Sequence, residues 1–250
     1  GSSGIGKTTL IQGFLDTLDD DVALVLRGRC YERETVPYQV IDSLVDALTS
    51  ALLLQPAERL DALLPPDLAV LARQFPALER VPAIARARAL LPRDPSEQRR
   101  RALRAFAELV WRLAGRRTPV FFVDDLQWSD DDGTGALGDV LRQLATVGAL
   151  LVASCRSVLG SLAEHPPGRL IELPVEAMPA DDAASLASAV LGSKRLAGRF
   201  ADTIAQESSG VPGFLVEIAR ATRAGYIAAN PSRDSRAGSS AAQGASRPRN

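Results

Sequence analysis

Apolar residues form several short, nearly continuous runs, which is the pattern of strands that are covered on both faces of a parallel sheet. A turn followed by such a run is predicted within residues 20–30, and further strands at 118–125 and 149–154. A last short strand is predicted at 170–175. Two aspartates end the strand at 118–125, and Cys155-Arg156 follows the strand at 149–154.

Between these runs the spacing of apolar residues changes to that of amphipathic helices. An i, i+3, i+4, i+7, i+11 repeat places five apolar residues on one helical face: Ile41, Leu44, Val45, Leu48 and Leu52. Leucine-rich segments interrupted by prolines predict several short helices as far as Asp94. Pro95 and Ser96 then open a longer helix with an apolar face of Leu103, Phe106, Ala107 and Val110. Further helices are predicted at 7–18, 137–145 and 179–229.

The order of these elements predicts the domain organisation. Strands that alternate with helices, followed by helices alone, indicate a parallel α/β domain at 1–178 and a small α-helical domain at 179–229. Residues 231–250 contain no Val, Ile, Leu, Met or aromatic residue. Such a segment buries too little surface to offset its loss of conformational entropy, so residues 230–250 are predicted to be a disordered tail.

Composition excludes several classes of protein. The 250 residues carry a formal net charge of −1, which gives no reason to expect direct binding of nucleic acid or of an anionic membrane. No apolar run approaches the ~20 residues of a membrane span, and no secretory signal peptide is recognisable. Two cysteines are too few for a disulfide framework or a zinc cluster. We therefore expect a cytoplasmic protein.

The first residues carry a phosphate-binding motif. Gly1, Gly6, Lys7 and Thr8 match G-x-x-x-x-G-K-[ST], in which glycines let successive backbone N–H groups surround phosphate oxygens at the start of a helix. Lys7 would reach the β- and γ-phosphates, and the Thr8 hydroxyl would bind Mg²⁺. The predicted ATP-binding residues of this segment are Gly1, Gly4, Ile5, Gly6, Lys7, Thr8 and Thr9.

Two aspartates follow the most apolar of the predicted strands. A carboxylate at the carboxyl end of a buried strand beside a phosphate loop is suited to hold Mg²⁺, and Asp124 has that position. Asp125 is the candidate to orient or deprotonate the attacking water. Taken alone, the pair could also be an acidic turn on the surface, as the less favoured alternative; the phosphate loop favours the catalytic interpretation further.

The residues that follow this strand resemble a known family. The segment Asp124-Asp125-Leu126-Gln127-Trp128-Ser129-Asp130 is similar to the extended acidic motif of the signal-transduction ATPases with numerous domains (STAND ATPases). These are AAA-related P-loop proteins, also described as origin-recognition-complex-like (Orc-like) AAA ATPase domains. The resemblance covers residues 1–228 and implies an α/β fold, with the parallel sheet of P-loop NTPases followed by a small α-helical lid. It also implies ATP and Mg²⁺ as cofactors.

Two further site residues are implied by the resemblance. Arg156 follows the strand at 149–154 and matches the sensor position, where a guanidinium would contact the γ-phosphate. Pro212, in Gly210-Val211-Pro212, matches a Gly-x-Pro motif whose proline packs near the nucleotide base. On the residues alone, Arg156 could equally be a solvated strand end, and Gly210-Val211-Pro212 a turn that ends a helix. Trp128 is expected to brace the loop after Asp125.

The chain departs from the family pattern at two points. Related ATPases usually carry glutamate where Asp125 stands, and a shorter side chain places the base less well, so slow hydrolysis is expected. The strand that feeds the phosphate loop is central to the sheet in these folds, and nothing precedes Gly1. The first central strand is thus expected to be missing, the chain to be a fragment, and the isolated chain to be poorly stable because two neighbouring strands lose a partner.

Three functions are consistent with the sequence. The first is an ATP-dependent switch in which nucleotide changes the position of the helical lid. The second is the regulatory ATPase region of a bacterial serine/threonine protein kinase or a LuxR-type transcription activator, with the kinase or DNA-binding output domain outside this chain. Arg27–Glu34 with Val36-Pro37-Tyr38 most resembles the kinase-linked members. The third is a scaffold that binds nucleotide without hydrolysing it.

Overall fold

A computed structural model describes residues 1–32, 38–86, 92–156 and 160–229. They form two compact units: Thr8–Leu173, and Gly1–Lys7 together with the chain from Pro174 onward. The predicted tail at 230–250 lies outside the described residues, and so do Arg33, Glu34, Val36 and Pro37 of the segment that resembles the kinase-linked members. Each unit is considered by itself below.

The Thr8–Leu173 unit is built on a parallel sheet. Its strands are β1 (Ala23–Arg29), β2 (Thr118–Asp124) and β3 (Leu150–Ala153), in the order β1-β2-β3. The register pairs Arg29 with Asp124 and Val123 with Ala153, so the three strands end at one edge. The predicted α/β class and parallel sheet are confirmed.

Helices account for most of the remaining chain in this unit. They are α1 (Lys7–Leu15), α2 (Gln39–Leu53), α3 (Ala57–Leu63), α4 (Leu68–Gln74), α5 (Pro82–Ala85), α6 (Pro95–Ala114), α7 (Asp131–Leu144) and α8 (Gly160–Glu164). Each predicted helix of this region is present, although α1 ends three residues before the predicted boundary at Leu18.

The two faces of the sheet are covered by different helices. On one face, the α1 residues Ile11 and Leu15 pack with side chains from β1 and β2: Ala23, Val25, Val120 and Phe122. On the other face, α2, α6 and α7 form the main core with Phe121 and Val123 of β2. Burial on both faces explains why the strand residues are apolar without a polar alternation.

Local sequence defines where α6 and α7 begin. Asp94 caps α6 by accepting a hydrogen bond from the backbone N–H of Ser96 at 3.2 Å, and Pro95 takes the first helical position. Asp130 caps α7 by accepting from the N–H of Gly133 at 3.0 Å. The cap at Asp130 means that the acidic motif ends by starting a helix, which holds the loop after β2 against the core.

The other unit contains a small helical domain. Its helices are α9 (Ala180–Leu191), α10 (Lys194–Glu207) and α11 (Pro212–Ala229). A separate apolar core joins them through small and branched side chains: Ala183, Ala187, Leu191, Leu196, Ile204, Leu215 and Ala219. In the described part of this unit no strand occurs, in agreement with the helical pattern of the sequence.

The strand predicted at 170–175 is wrong. These residues belong to no strand or helix, and the side chains of Leu170, Ile171 and Leu173 are exposed, with Leu173 82% accessible. A strand needs a neighbour that completes its hydrogen bonds, and an apolar run alone does not supply one.

Among the residues described, no helix is both long and apolar enough to cross a membrane.

Candidate functional site

The carboxyl edge of the sheet gathers polar side chains from all three strands. Arg29 ends β1, Asp124 ends β2, and Ser154 directly follows β3. Asp124 and Ser154 are buried, at 5% and 2% accessible. Because buried polar groups require hydrogen-bond partners, these two side chains must be paired within the protein at this edge.

The buried carboxylate of Asp124 receives hydrogen bonds from two hydroxyl groups. The Thr8 Oγ1 donates to its Oδ1 at 2.9 Å and its Oδ2 at 3.1 Å. The Ser154 Oγ donates to Oδ1 at 2.5 Å. The structure thus brings together the two residues that the sequence predicts as metal ligands, although 116 positions separate them in the chain.

The donor set around Asp124 fits Mg²⁺. A carboxylate and a hydroxyl are hard oxygen ligands, and Mg²⁺ in nucleotide sites is held by one or two carboxylates together with phosphates and water. Within the described ranges no cluster of three His, Cys, Asp or Glu side chains could hold a metal by itself.

Asp125 has a left-handed backbone and two side-chain partners. Its φ is 55°, a conformation that Asp tolerates better than most residues, and its N–H donates to the Ser154 Oγ at 2.9 Å. Arg29 Nη2 donates to Oδ2 at 3.1 Å, and Gln127 Nε2 donates to Oδ1 at 3.0 Å. Ser154 thereby links the two acids, because it donates to Asp124 and accepts from Asp125.

Arg156 lies at the same edge of the sheet. Its backbone N–H donates to the Gln127 Oε1 at 3.2 Å, and its guanidinium carbon lies 5.6 Å from the ring centre of Trp128. Trp128 itself is half-buried and packs against the main core. Trp128 thus supports the guanidinium of Arg156, and contact of Arg156 with a γ-phosphate stays a prediction.

Cys30 is placed beside the acidic residues but is not suited to nucleophilic chemistry. It directly follows β1 and is 1% accessible. Burial raises the pKa of its thiol to about 12, and the negative charges of Asp125 and Asp130 add to this increase. A thiol with such a pKa stays protonated at neutral pH, so Cys30 acts as a packing residue.

The glycine-rich segment belongs to the other unit and has the backbone expected of a phosphate loop. Gly4 and Gly6 have φ values of 75° and 98°, which glycine adopts without strain. The Lys7 Nζ donates to the carbonyl oxygens of Gly1 and Ser2, both at 2.9 Å, so the ammonium group binds the backbone of the same glycine-rich segment. Ile5 is buried, at 6% accessible, and Thr9 is exposed on α1.

The start of α11 contacts this glycine-rich segment within the same unit. The backbone N–H of Gly213 donates to the carbonyl oxygen of Gly4 at 2.8 Å. A Cβ placed on Gly6 would lie 3.9 Å from the Pro212 Cγ. Pro212 is therefore next to the phosphate loop, and its predicted contact with a nucleotide base stays untested.

Comparison with known families agrees with these features. A family model described as an AAA ATPase domain matches residues 1–153 of the 250. The chain belongs to the AAA ATPase domain family. No curated protein and no solved structure matched it significantly. The family assignment supports a P-loop ATPase module that binds nucleotide, usually with Mg²⁺.

Three residues of the site in this AAA ATPase domain were not predicted from the sequence. Ser154, Arg29 and Gln127 all lie within segments that the sequence singled out, but no role was assigned to them. Ser154 and Arg29 share one signal with Asp124, since each is a polar residue at or just after the end of an apolar strand. Gln127 gives no such signal, because its partners are decided by the turn after Asp125.

The close approach between Gly213 and Gly4 supplies a prediction for the AAA ATPase domain. A Cβ on Gly213 would lie 3.0 Å from both the Cα and the carbonyl oxygen of Gly4, so Gly213→Ala pushes α11 away from the glycine-rich segment. We expect a loss of about 1–2 kcal/mol in the free energy of unfolding, measured by denaturant titration.

Gly225→Ala is the matched control for Gly213→Ala. Gly225 lies in the same helix with no atom within 4 Å of a Cβ placed on it. Alanine in such a helical position gains up to about 1 kcal/mol over glycine, so this variant should be slightly stabilised. Equal stabilisation of both variants would show that the contact between Gly213 and Gly4 is not tightly packed.

Proposed function

We propose that this chain is a Mg²⁺-dependent ATPase module that acts as a slow nucleotide-dependent switch. The observation that carries the proposal is the bifurcated hydrogen bond from the Thr8 hydroxyl to both oxygens of the buried Asp124 carboxylate. Thr8 is the last residue of the phosphate-binding motif, and Asp124 is the last residue of β2. Their contact is the one that a shared magnesium site requires.

The proposed roles follow from the chemistry of each residue. The segment Gly1–Thr8 holds the phosphates through backbone N–H groups and the charge of Lys7. Thr8 and Asp124 supply oxygen ligands for Mg²⁺, whose charge would offset that developing on the transferred phosphoryl group. Asp125 orients or deprotonates the attacking water, and Arg156 contacts the terminal phosphate.

The switch function depends on the lid. ATP and ADP can drive a change in the helical domain only if they differ in affinity for two of its positions. The hydrogen bond from Gly213 to Gly4 supports this part of the proposal, because it joins α11 to the backbone of the glycine-rich segment. A rearrangement of that segment on phosphate binding would act directly on the start of α11.

We further propose that the module serves a multidomain regulator of the STAND type. Support comes from the motif after β2 and from the described part of the kinase-like segment, Arg27–Glu32 with Tyr38. The regulator would be a serine/threonine protein kinase or a LuxR-type activator. The coding sequence on both sides of this chain distinguishes them: a kinase domain upstream supports the first, and a DNA-binding domain downstream the second.

A second candidate function is a scaffold that binds nucleotide without hydrolysing it. One observation favours it: both carboxylate oxygens of Asp125 already accept hydrogen bonds, from Arg29 and Gln127. The side chain of aspartate is also shorter than that of the glutamate usual at this position, which likewise favours weak hydrolysis. Phosphate release measured beside ATP binding separates the two candidates, since the scaffold binds ATP and releases no phosphate.

The test of nucleotide binding is Lys7→Ala. Loss of the cation that faces the β- and γ-phosphates should weaken ATP binding at least about tenfold, measured by titration calorimetry with Mg²⁺ present. Lys194 is the only other lysine and is exposed at the start of α10, so Lys194→Ala is the matched control and should bind within about twofold of the parent. If Lys7→Ala binds ATP as tightly as the parent, the site is elsewhere.

A further inference from the structure

We propose that Gln127 is a positioning residue that orients the carboxylate of Asp125 and links it to the backbone of Arg156. This inference rests on the proposed function, because it assigns a role in the hydrolysis for which Asp125 is the candidate base. Gln127 is partly buried and lies in the short 3₁₀ turn Leu126–Trp128 that follows the left-handed Asp125. Its side chain forms hydrogen bonds with Asp125 and with the backbone of Arg156.

The orientation of the Gln127 amide follows from the chemistry of its partners. The backbone N–H of Arg156 can only donate, so it must face the Oε1, at 3.2 Å. The carboxylate of Asp125 accepts, so it must face the Nε2, at 3.0 Å. A flipped amide would lose both hydrogen bonds, and Gln127 is therefore held in one orientation from its two ends.

Orientation of Asp125 by Gln127 is compatible with Asp125 acting as a base. A carboxylate has about four acceptor positions, two on each oxygen. Arg29 uses one on Oδ2, and Gln127 uses one on Oδ1. One acceptor position on each oxygen is still available for a water molecule, while the two donors on opposite oxygens prevent the short side chain from rotating.

The link to Arg156 gives Gln127 a second consequence. Arg156 follows β3, whereas Asp125 follows β2, and the Gln127 amide joins the two segments by one hydrogen bond to each. The guanidinium of Arg156 would leave Trp128 to contact a terminal phosphate. Any shift of the Arg156 backbone in that movement would displace the N–H that donates to the Gln127 Oε1. Recognition of ATP would then be transmitted to the orientation of Asp125.

The experiment compares three substitutions of the full chain. Gln127→Met keeps the length and removes both hydrogen bonds, and Gln127→Glu keeps the acceptor for Arg156 but places a negative charge against Asp125. Both should lower kcat for phosphate release about tenfold, with the KM for ATP within about twofold of the parent. The matched control is Gln143→Glu, which adds the same charge on the exposed side of α7 and should leave kcat unchanged.

A role through Asp125 is tested in a second background. In an Asp125→Asn chain the base is already removed, so adding Gln127→Met should change kcat less than about twofold. A merely structural contribution of Gln127 would lower kcat equally in both backgrounds. Denaturant unfolding of each variant reports whether the fold is retained.

The outcomes separate this inference from the function on which it rests. If the parent chain does not bind ATP, the proposed function fails. If the parent hydrolyses ATP and Gln127→Met keeps its full kcat, or loses it equally in the Asp125→Asn background, the role of Gln127 is wrong and the ATPase stands. If the parent binds ATP and releases no phosphate, a catalytic role of Gln127 is likewise wrong, and the scaffold is supported.

Discussion

We expect Asp124→Asn to lower the proposed release of phosphate from ATP more than about hundredfold, because a neutral amide is a poor ligand for Mg²⁺. The substitution keeps the shape of the side chain, which is 5% accessible and packed at the end of β2. It replaces one acceptor oxygen by an NH₂ group in a site where Thr8 and Ser154 both donate. The proposed metal ligand would thus be lost with little change in volume.

The measurement is phosphate release at saturating ATP over a range of Mg²⁺ concentrations. Asp131→Asn is the control, since Asp131 lies a few residues further on, in the exposed first turn of α7, and should keep the parent rate. Unfolding of both variants in denaturant confirms that they are folded. A rate for Asp124→Asn within about threefold of the parent would contradict the assignment of Asp124 as the metal-side acid.

Phe121→Ala lowers the free energy of unfolding by about 3–5 kcal/mol, the cost of a cavity left by a large aromatic side chain in a well-packed core. Phe121 lies in β2, the middle strand of the described sheet, and is 0% accessible. It packs on the face covered by α2, α6 and α7. A loss of this size is a large share of the 5–15 kcal/mol typical of a folded domain.

Denaturant titration followed by circular dichroism measures this effect. Trp111→Ala is the comparison: Trp111 is also a large aromatic residue, but it is 48% accessible on α6. We expect a loss of about 1 kcal/mol or less from its partial burial. Similar losses for the two variants would show that β2 is not the central element of the core.

Much of the fold could be predicted because its signals are local. The runs that became β1, β2 and β3 are apolar without alternation, and the helical repeat of α2 is complete over its length. The strand at 170–175 failed for the opposite reason. Whether an apolar extended segment becomes a strand depends on a neighbouring backbone, which the segment itself does not contain.

The candidate site, like the fold, could be predicted only where its signals are local. Thr8 and Asp124 follow from motifs, because phosphate and magnesium chemistry restrict both residue type and spacing. The partners Ser154, Arg29 and Gln127 do not, since each makes a hydrogen bond to a residue at the end of a different strand or just after it. A serine after a strand is common, and only its distance from Asp124 gives it a role.

The sequence by itself determined the parallel α/β class, the phosphate-binding segment and the acidic pair, because apolar periodicity and motif spacing are properties of the chain. Only the tertiary structure decided that the Thr8 hydroxyl meets Asp124 and that Ser154 joins the two acids. The contacts of Ser154 depend on the register of β2 and β3, which places the ends of the two strands side by side, and the contact of Thr8 depends on the packing of α1 against the sheet. Register is set by the packing of the whole sheet against its helices, and no short stretch of sequence contains it.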